Sequence, residues 1–175
     1  MIANTRMNAW MSAHLGAGGI RVREEDVPEP FRLIVHEGWT VDGDAHLLTA
    51  LRSGYHGTVR SEWRDVIPYE AAVNGRGMMD YDLPEAGRER LDALLRRSLG
   101  YTCIALRAVP EEQKWPVLGY VSLSEGGLEG GLLTAHVTFC SERPDLPRYV
   151  DDVNAYSQEA LLEIAQQDVE LLLEA

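Results

Sequence analysis

The chain has 175 residues, of which 45% are hydrophobic and 25% charged, and these values predict one folded domain over residues 1–175. Its 28 acidic and 16 basic residues give a formal net charge of −12, which disfavours direct binding to nucleic-acid phosphates. The sequence contains no apolar run of about 18 residues and no secretory pattern at its N-terminus, so we expect no membrane span and a cytoplasmic location. The only cysteines, Cys103 and Cys140, lie in apolar runs and are expected to be buried free thiols.

The first predicted element is a helix over about residues 4–15. Met7, Trp10 and Met11 recur at the spacing of one helical face. The glycine-rich stretch 16–19 is expected to end this helix, because glycine readily adopts the left-handed conformation found at helix ends.

Three segments with weaker signals follow. The apolar run 31–35 is compatible with a helix that follows a proline and equally with a buried strand. Asp44 is expected to cap a helix over 45–52. A partly helical stretch, 61–70, is expected to stop at its proline.

The clearest local signal is the sequence Asp82-Leu83-Pro84-Glu85, which matches a capping box with proline in the first turn. It predicts a helix that runs to about Leu99 and ends at Gly100. Residues 101–109 are rich in β-forming side chains and are predicted to be a strand.

The C-terminal half predicts an antiparallel meander closed by a helix. Residues 117–124 have Val117, Gly119, Val121 and Leu123 at alternate positions, and residues 132–140 alternate between apolar and polar. The glycine-rich stretch between the two runs is typical of a hairpin loop. From about residue 148 the chain is predicted to form one long helix that reaches almost to residue 175. The expected fold class is therefore α+β: a small antiparallel meander of three to four strands, with several helices on one face and a long C-terminal helix.

Five potential metal ligands lie between residues 36 and 56, namely His36, Asp42, Asp44, His46 and His56. Imidazole and carboxylate are the usual ligands of zinc and iron. However, their spacing matches neither a helical pair of histidines nor a zinc finger, and the two aspartates depart from the calcium-loop pattern. A turn and a helix cap explain the aspartates, so we expect no bound metal and no cofactor.

The segment 54–58 reads Gly-Tyr-His-Gly-Thr and resembles the Tyr-His-Gly-Thr strand of one group of ADP-ribosyltransferases. The resemblance covers these five residues. It implies a small NAD-dependent enzyme in which His56 hydrogen-bonds the nicotinamide ribose. A later tyrosine, Tyr81 or Tyr101, would stack on the nicotinamide.

Two groups of apolar side chains are candidates for an interaction surface. Leu171, Leu172 and Leu173 cannot all lie on one helical face, because successive side chains are about 100° apart. At least one of them is expected to point away from the core. The second group is the face of the first helix made by Met7, Trp10 and Met11, where methionine makes a soft and adaptable contact.

These observations lead to two hypotheses from different classes. The first is an acidic protein-binding domain, such as an adaptor, an inhibitor, an immunity protein or a phage-type assembly factor. It would act on a protein partner or as a homo-oligomer and would catalyse nothing. The alternative is the NAD-dependent enzyme built around His56. A concave pocket that contains His56 and a tyrosine would favour the enzyme, whereas a surface turn at His56 would not.

Overall fold

The computed structural model describes residues 6–16, 19–80, 82–126 and 131–174. Its elements in chain order are β1 (Arg6–Met7), α1 (Ala9–Leu15), α2 (Glu29–His36), β2 (Trp39–Asp42), β3 (Ala45–Leu48), α3 (Thr49–Gly54), α4 (Val66–Val73), β4 (Arg76–Gly77), α5 (Gly87–Arg107), β5 (Val117–Glu125), β6 (Leu133–Ser141), β7 (Ala160–Ala165) and α6 (Val169–Leu172).

The centre of the fold is an antiparallel sheet of five strands in the order β1-β7-β5-β6-β4. β5 and β6 form a hairpin in register from Val117↔Ser141 to Glu125↔Leu133, and β7 pairs with the other edge of β5. The mixed α+β class and the two hairpin strands are confirmed. A second, two-stranded sheet is formed by β2 and β3.

Helices cover both faces of the central sheet, so the expectation that they cover one face is wrong. Alternate residues of β5 point to opposite sides because the side-chain period of a strand is two. Val121 belongs to the core cluster that contains α5, whereas Tyr120 belongs to a second cluster that contains α4. The sheet therefore lies between α5 and α4.

The predicted strand over 101–109 is wrong, because these residues form the second half of α5. This helix runs through Gly100 to Arg107. The glycine allows Val27 to pack closely against the helix, because a Cβ at Gly100 would lie 2.7 Å from Cγ2 of Val27. Tyr101 packs against Phe139 of β6 at a ring-centroid distance of 5.8 Å, so the run 101–109 packs against the sheet as part of a helix.

The start of α5 also differs from the capping-box prediction. The helix begins at Gly87, with Ala86 as its N-cap. Asp82 has a positive φ of 51°, and its carboxylate lies 2.7 Å from the buried guanidinium of Arg97. The ion pair with Arg97 therefore replaces the predicted cap.

The predicted long C-terminal helix is wrong as well. Ala160–Ala165 is the strand β7, which lies between β1 and β5, and the only α-helix that follows it in the described part of the chain is the four-residue α6. Five of the six residues of β7 are buried. A strand buried on both faces has apolar residues at consecutive positions, so its sequence lacks the alternation that distinguishes it from a helix.

Differences in the N-terminal half have local causes. The helix predicted over 45–52 is the strand β3 followed by α3, because Gly43, with φ +64°, closes a hairpin with β2. The apolar run 31–35, whose sequence is compatible with a helix and with a strand, is helical as part of α2. Pro68 does not stop a helix: it lies in the first turn of α4, where backbone N–H groups have no helical acceptor.

The first helix is shorter than predicted, since α1 begins at Ala9 and the side chain of Asn8 accepts a hydrogen bond from Met11 N–H. Residues 1–5 lie outside the described part. Both cysteines are free and buried, as expected, although Cys103 lies in α5 and not in a strand. Among the described residues, no helix is long and apolar enough to cross a membrane.

Candidate functional site

One face of the β2–β3 hairpin forms the first wall of a cleft. Trp39 and Val41 are two residues apart on β2 and therefore point to the same side, and His46 of β3 is the cross-strand partner of Val41. The indole N–H of Trp39 donates to the carbonyl of Ala105 at 3.0 Å, which fixes the ring. The side chain of Val41 is exposed, at 61%.

The opposite wall comes from two segments that meet at one end of the central sheet. β5 begins where β6 ends, since Val117 pairs with Ser141. The connection 108–116, which precedes β5, and residues 142–145, which follow β6, are therefore brought together across from the hairpin. We call the space between the walls the hairpin cleft. It has a volume of about 700 Å³, and its lining includes Trp39, Val41, His46, Lys114, Trp115 and Arg143.

A fully buried carboxylate on α4 holds these walls in place. Oε1 of Glu70 accepts from the backbone N–H of His46 at 2.8 Å and from the guanidinium of Arg143 at 3.0 Å. Oε2 accepts from the backbone N–H and the hydroxyl of Ser141, at 2.6 and 2.7 Å. One side chain thus connects β3, the end of β6 and an arginine of the cleft.

Asn74 repeats this connection one helical turn later. Its Oδ1 accepts from the backbone N–H of Leu48 at 2.8 Å, and its Nδ2 donates to the carbonyls of His46 and Phe139, both at 3.0 Å. Glu70 and Asn74 lie four residues apart and so on the same face of α4. They satisfy the backbone of β3 in place of a neighbouring strand, which makes the hairpin a rigid part of the domain.

The charged groups of the cleft differ in how they are balanced. Arg143 is paired with Glu70, and Asp44 with Arg60, whose guanidinium lies 2.8 Å from it. The hydrogen bond from Arg60 lowers the pKa of the Asp44 carboxyl. Lys114 places its ammonium 4.8 Å from the centre of the Trp115 ring.

His46 is the buried titratable group of the cleft. It is 4% exposed, and among the described residues its Nδ1 has no hydrogen-bond partner. Burial lowers the pKa of the imidazole, while the nearby Glu70 carboxylate opposes this effect. The ring is therefore neutral at neutral pH.

The five potential metal ligands of the sequence take separate roles. Asp42 is paired with Arg52 at 2.8 Å, and Asp44 is paired with Arg60. His36 and His56 are exposed, whereas His46 is buried. Within the described ranges, no three histidine, cysteine or acidic side chains come together in a group that could hold a metal ion.

The residues of the enzyme hypothesis are not brought together by the described structure. His56 is exposed in the segment after α3, and its neighbour Tyr55 packs on the α4 side of the sheet. Tyr101 is fully buried in the cluster on the α5 side. Tyr81 lies outside the described residues.

The predicted interaction residues divide into exposed and buried members. Leu171 is 49% exposed and Trp10 is 50% exposed. Leu172, Leu173 and Met11 are in the core, and Met7 packs against it. The exposed members, Leu171 and Trp10, are therefore the ones available to a partner.

Of the residues of the hairpin cleft, sequence reasoning singled out Asp44 and His46, as potential metal ligands, and missed the two tryptophans. Trp39 and Trp115 are far apart in the chain and meet only through the tertiary fold. One usable signal was present: Glu70 and Asn74 are polar residues four apart in or beside the apolar sequence of α4, a pattern typical of side chains with buried partners.

Comparisons of the chain with protein-family models, with curated proteins and with solved structures found no significant match.

Proposed function

We propose that the protein acts by binding another protein and that the hairpin cleft is its recognition site. The observation that carries this proposal is the presence of Trp39, Trp115 and the exposed Val41 in one cleft. Tryptophan is among the residues that most often dominate the binding energy of protein interfaces.

The rigidity of the cleft supports the same proposal. The indole of Trp39 is fixed by its hydrogen bond to Ala105, and the hairpin is held by Glu70 and Asn74. A side chain that is already ordered loses little conformational entropy when a partner binds. The cleft is therefore suited to recognition without a large rearrangement.

The charge of the chain indicates what kind of partner it suits. A net charge of −12 attracts cationic proteins over a distance and increases their association rate. We therefore propose an adaptor, an inhibitor, an immunity protein or a phage-type assembly factor whose partner is a cationic protein.

We propose a second candidate surface around the exposed side chain of Leu171, and Trp10 is also exposed. Exposed apolar side chains of this kind contribute to protein–protein contacts when they form a continuous patch. This surface is suited to a homo-oligomer, which light scattering of the intact chain detects.

The test compares three single substitutions in the full-length chain, used as bait in extracts of its native host. Val41→Arg places a positive charge in the hairpin cleft, Leu171→Arg changes the second surface, and Leu33→Arg is the control at a position 57% exposed outside the cleft lining. We expect a protein that is retained in stoichiometric amount by the wild type and by Leu33→Arg, and is lost with Val41→Arg. Loss with Leu171→Arg alone would assign recognition to the second surface and contradict the role of the cleft.

A further inference from the structure

The first observation concerns the charges of the hairpin cleft that have no partner in the described structure. Arg143 and Asp44 are balanced by Glu70 and Arg60. The other charged groups in the lining are two carboxylates, Glu112 and Asp145, and the ammonium of Lys114, and neither carboxylate forms an ion pair with a described residue. The charge left in the cleft is therefore negative.

The second observation is that the Trp115 ring already lies beside cations. The ammonium of Lys114 lies 4.8 Å from the ring centre, and the guanidinium carbon of Arg143 lies 5.9 Å from it. Both distances are within the range in which an aromatic face attracts a cation. Lys114 is exposed and can move into water, whereas the side chain of Arg143 is held at 8% exposure.

We infer that the hairpin cleft binds an arginine or lysine side chain of the protein partner, with Glu112, Asp145 and the Trp115 ring as its contacts and Lys114 as the cation that it displaces. This inference rests on the proposed function, because it specifies what the partner inserts into the cleft. An exposed valine at the same cleft gives the backbone and neighbouring side chains of the partner an apolar contact.

The inference makes an unusual prediction for Lys114→Met. This substitution keeps most of the aliphatic stem and removes a positive charge that repels and competes with an incoming cation. Binding of a cation should therefore become tighter, whereas a cleft that bound anions would bind them more weakly. A purely structural role of Lys114 produces neither pattern.

The measurement is a titration of the ¹⁵N-labelled full chain, with the indole N–H signals of the tryptophans as the readout. The probes are the capped tripeptides Gly-Arg-Gly and Gly-Glu-Gly, and free arginine. We expect the arginine tripeptide to shift the signals of Trp39 and Trp115 and to leave that of the exposed Trp10 unchanged. Lys114→Met should bind it more tightly.

Matched double variants separate the cleft from the general acidity of the surface. Glu112→Gln with Asp145→Asn should weaken the arginine tripeptide by roughly threefold to tenfold, as expected for the loss of two partly solvated ion pairs. Glu37→Gln with Asp151→Asn removes the same charge from exposed positions outside the cleft lining and should change the affinity little.

Several results would overturn the inference. These are preferential binding of the glutamate tripeptide, weaker arginine binding in Lys114→Met, equal weakening by both double variants, or no indole shift at millimolar peptide. Tighter binding of free arginine than of the tripeptide would identify a small ligand in place of a protein side chain. If any of these occurs while Val41→Arg still loses the host partner, the inference fails and the proposed function stands.

Discussion

Replacing Glu70 with glutamine tests whether the buried network holds the hairpin cleft together. Its two carboxylate oxygens accept four hydrogen bonds and balance the charge of Arg143. In Glu70→Gln one oxygen becomes an NH₂ group, which faces donors and accepts nothing. Arg143 then keeps its charge with its side chain only 8% exposed.

The size of the effect follows from these contacts. Removing one partner of a buried ion pair destabilises a protein by about 3–5 kcal/mol, because the remaining charge stays buried and uncompensated. This loss is a large fraction of the roughly 5–15 kcal/mol by which a domain is stable. Asp92→Asn is the control, because its pair with Arg88 is mostly exposed and is expected to contribute about 0.5 kcal/mol.

The assay is urea unfolding followed by circular dichroism, with the free energy of unfolding extrapolated to water. The variants are Glu70→Gln, Arg143→Met, the double variant and the Asp92→Asn control. The second substitution in the Glu70–Arg143 pair should cost much less than the first, because the charge it removes has already lost its partner. A loss below about 1 kcal/mol for Glu70→Gln, or additive effects of the two substitutions, would refute this account of the network.

Three further predictions concern packing, pH and thiol reactivity. Gly119→Ala should lower the free energy of unfolding by about 1–3 kcal/mol in the same urea assay, because the added Cβ overlaps the methyl group of Thr102. Burial lowers the pKa of the His46 imidazole in the folded state. The stability that the neutral imidazole contributes is therefore present above about pH 6.5, the pKa of an unperturbed histidine, and is lost as the pH falls toward the folded-state pKa. The wild type should lose more stability on acidification than His46→Asn. Burial raises the pKa of Cys103 to about 12 and also raises that of Cys140, so a thiol reagent at pH 8 should label neither until urea unfolds the chain, and rapid labelling of the native protein would contradict their burial.

The parts of the fold that are predictable from the sequence are those decided by local pattern. β6 has an alternating sequence and is joined to β5 by a glycine-rich connection, and the predicted bounds of both strands agree with the structure to within one residue. By contrast, β7 is buried on both faces, so its apolar residues stand at consecutive positions and resemble a helix. Its pairing with β5, which is distant in the chain, determines that it is a strand.

Glycine and the capping signal were misleading for a related reason. Gly100 is typical of a helix end, yet it lies within α5 because Val27 packs against it. Asp82 is typical of an N-cap, yet it pairs with Arg97. In both places a tertiary contact prevails over a local preference of about 1 kcal/mol.

The candidate site depends on tertiary structure more than the fold does. The walls of the hairpin cleft come from residues 39–46, 110–115 and 143–145, which meet because Glu70 holds the hairpin against the end of β6. The spacing of these three segments in the sequence does not indicate that they lie close together in the fold. The enzyme hypothesis relied on a short motif at His56, and a motif of that length does not determine whether its residues line a pocket.

The measurement that tests the central claim most directly uses Glu112 and Asp145, the two carboxylates of the hairpin cleft that form no ion pair with a described residue. The rate at which a carbodiimide couples an amine to each carboxylate is measured by mass spectrometry in the free protein and in its complex with the partner retained from the native host. The account predicts that Glu112 and Asp145 are protected in the complex, because the basic side chain of the partner pairs with them and the surface around it covers the cleft. Labelling of both carboxylates at the same rate in the complex and in the free protein would contradict the account.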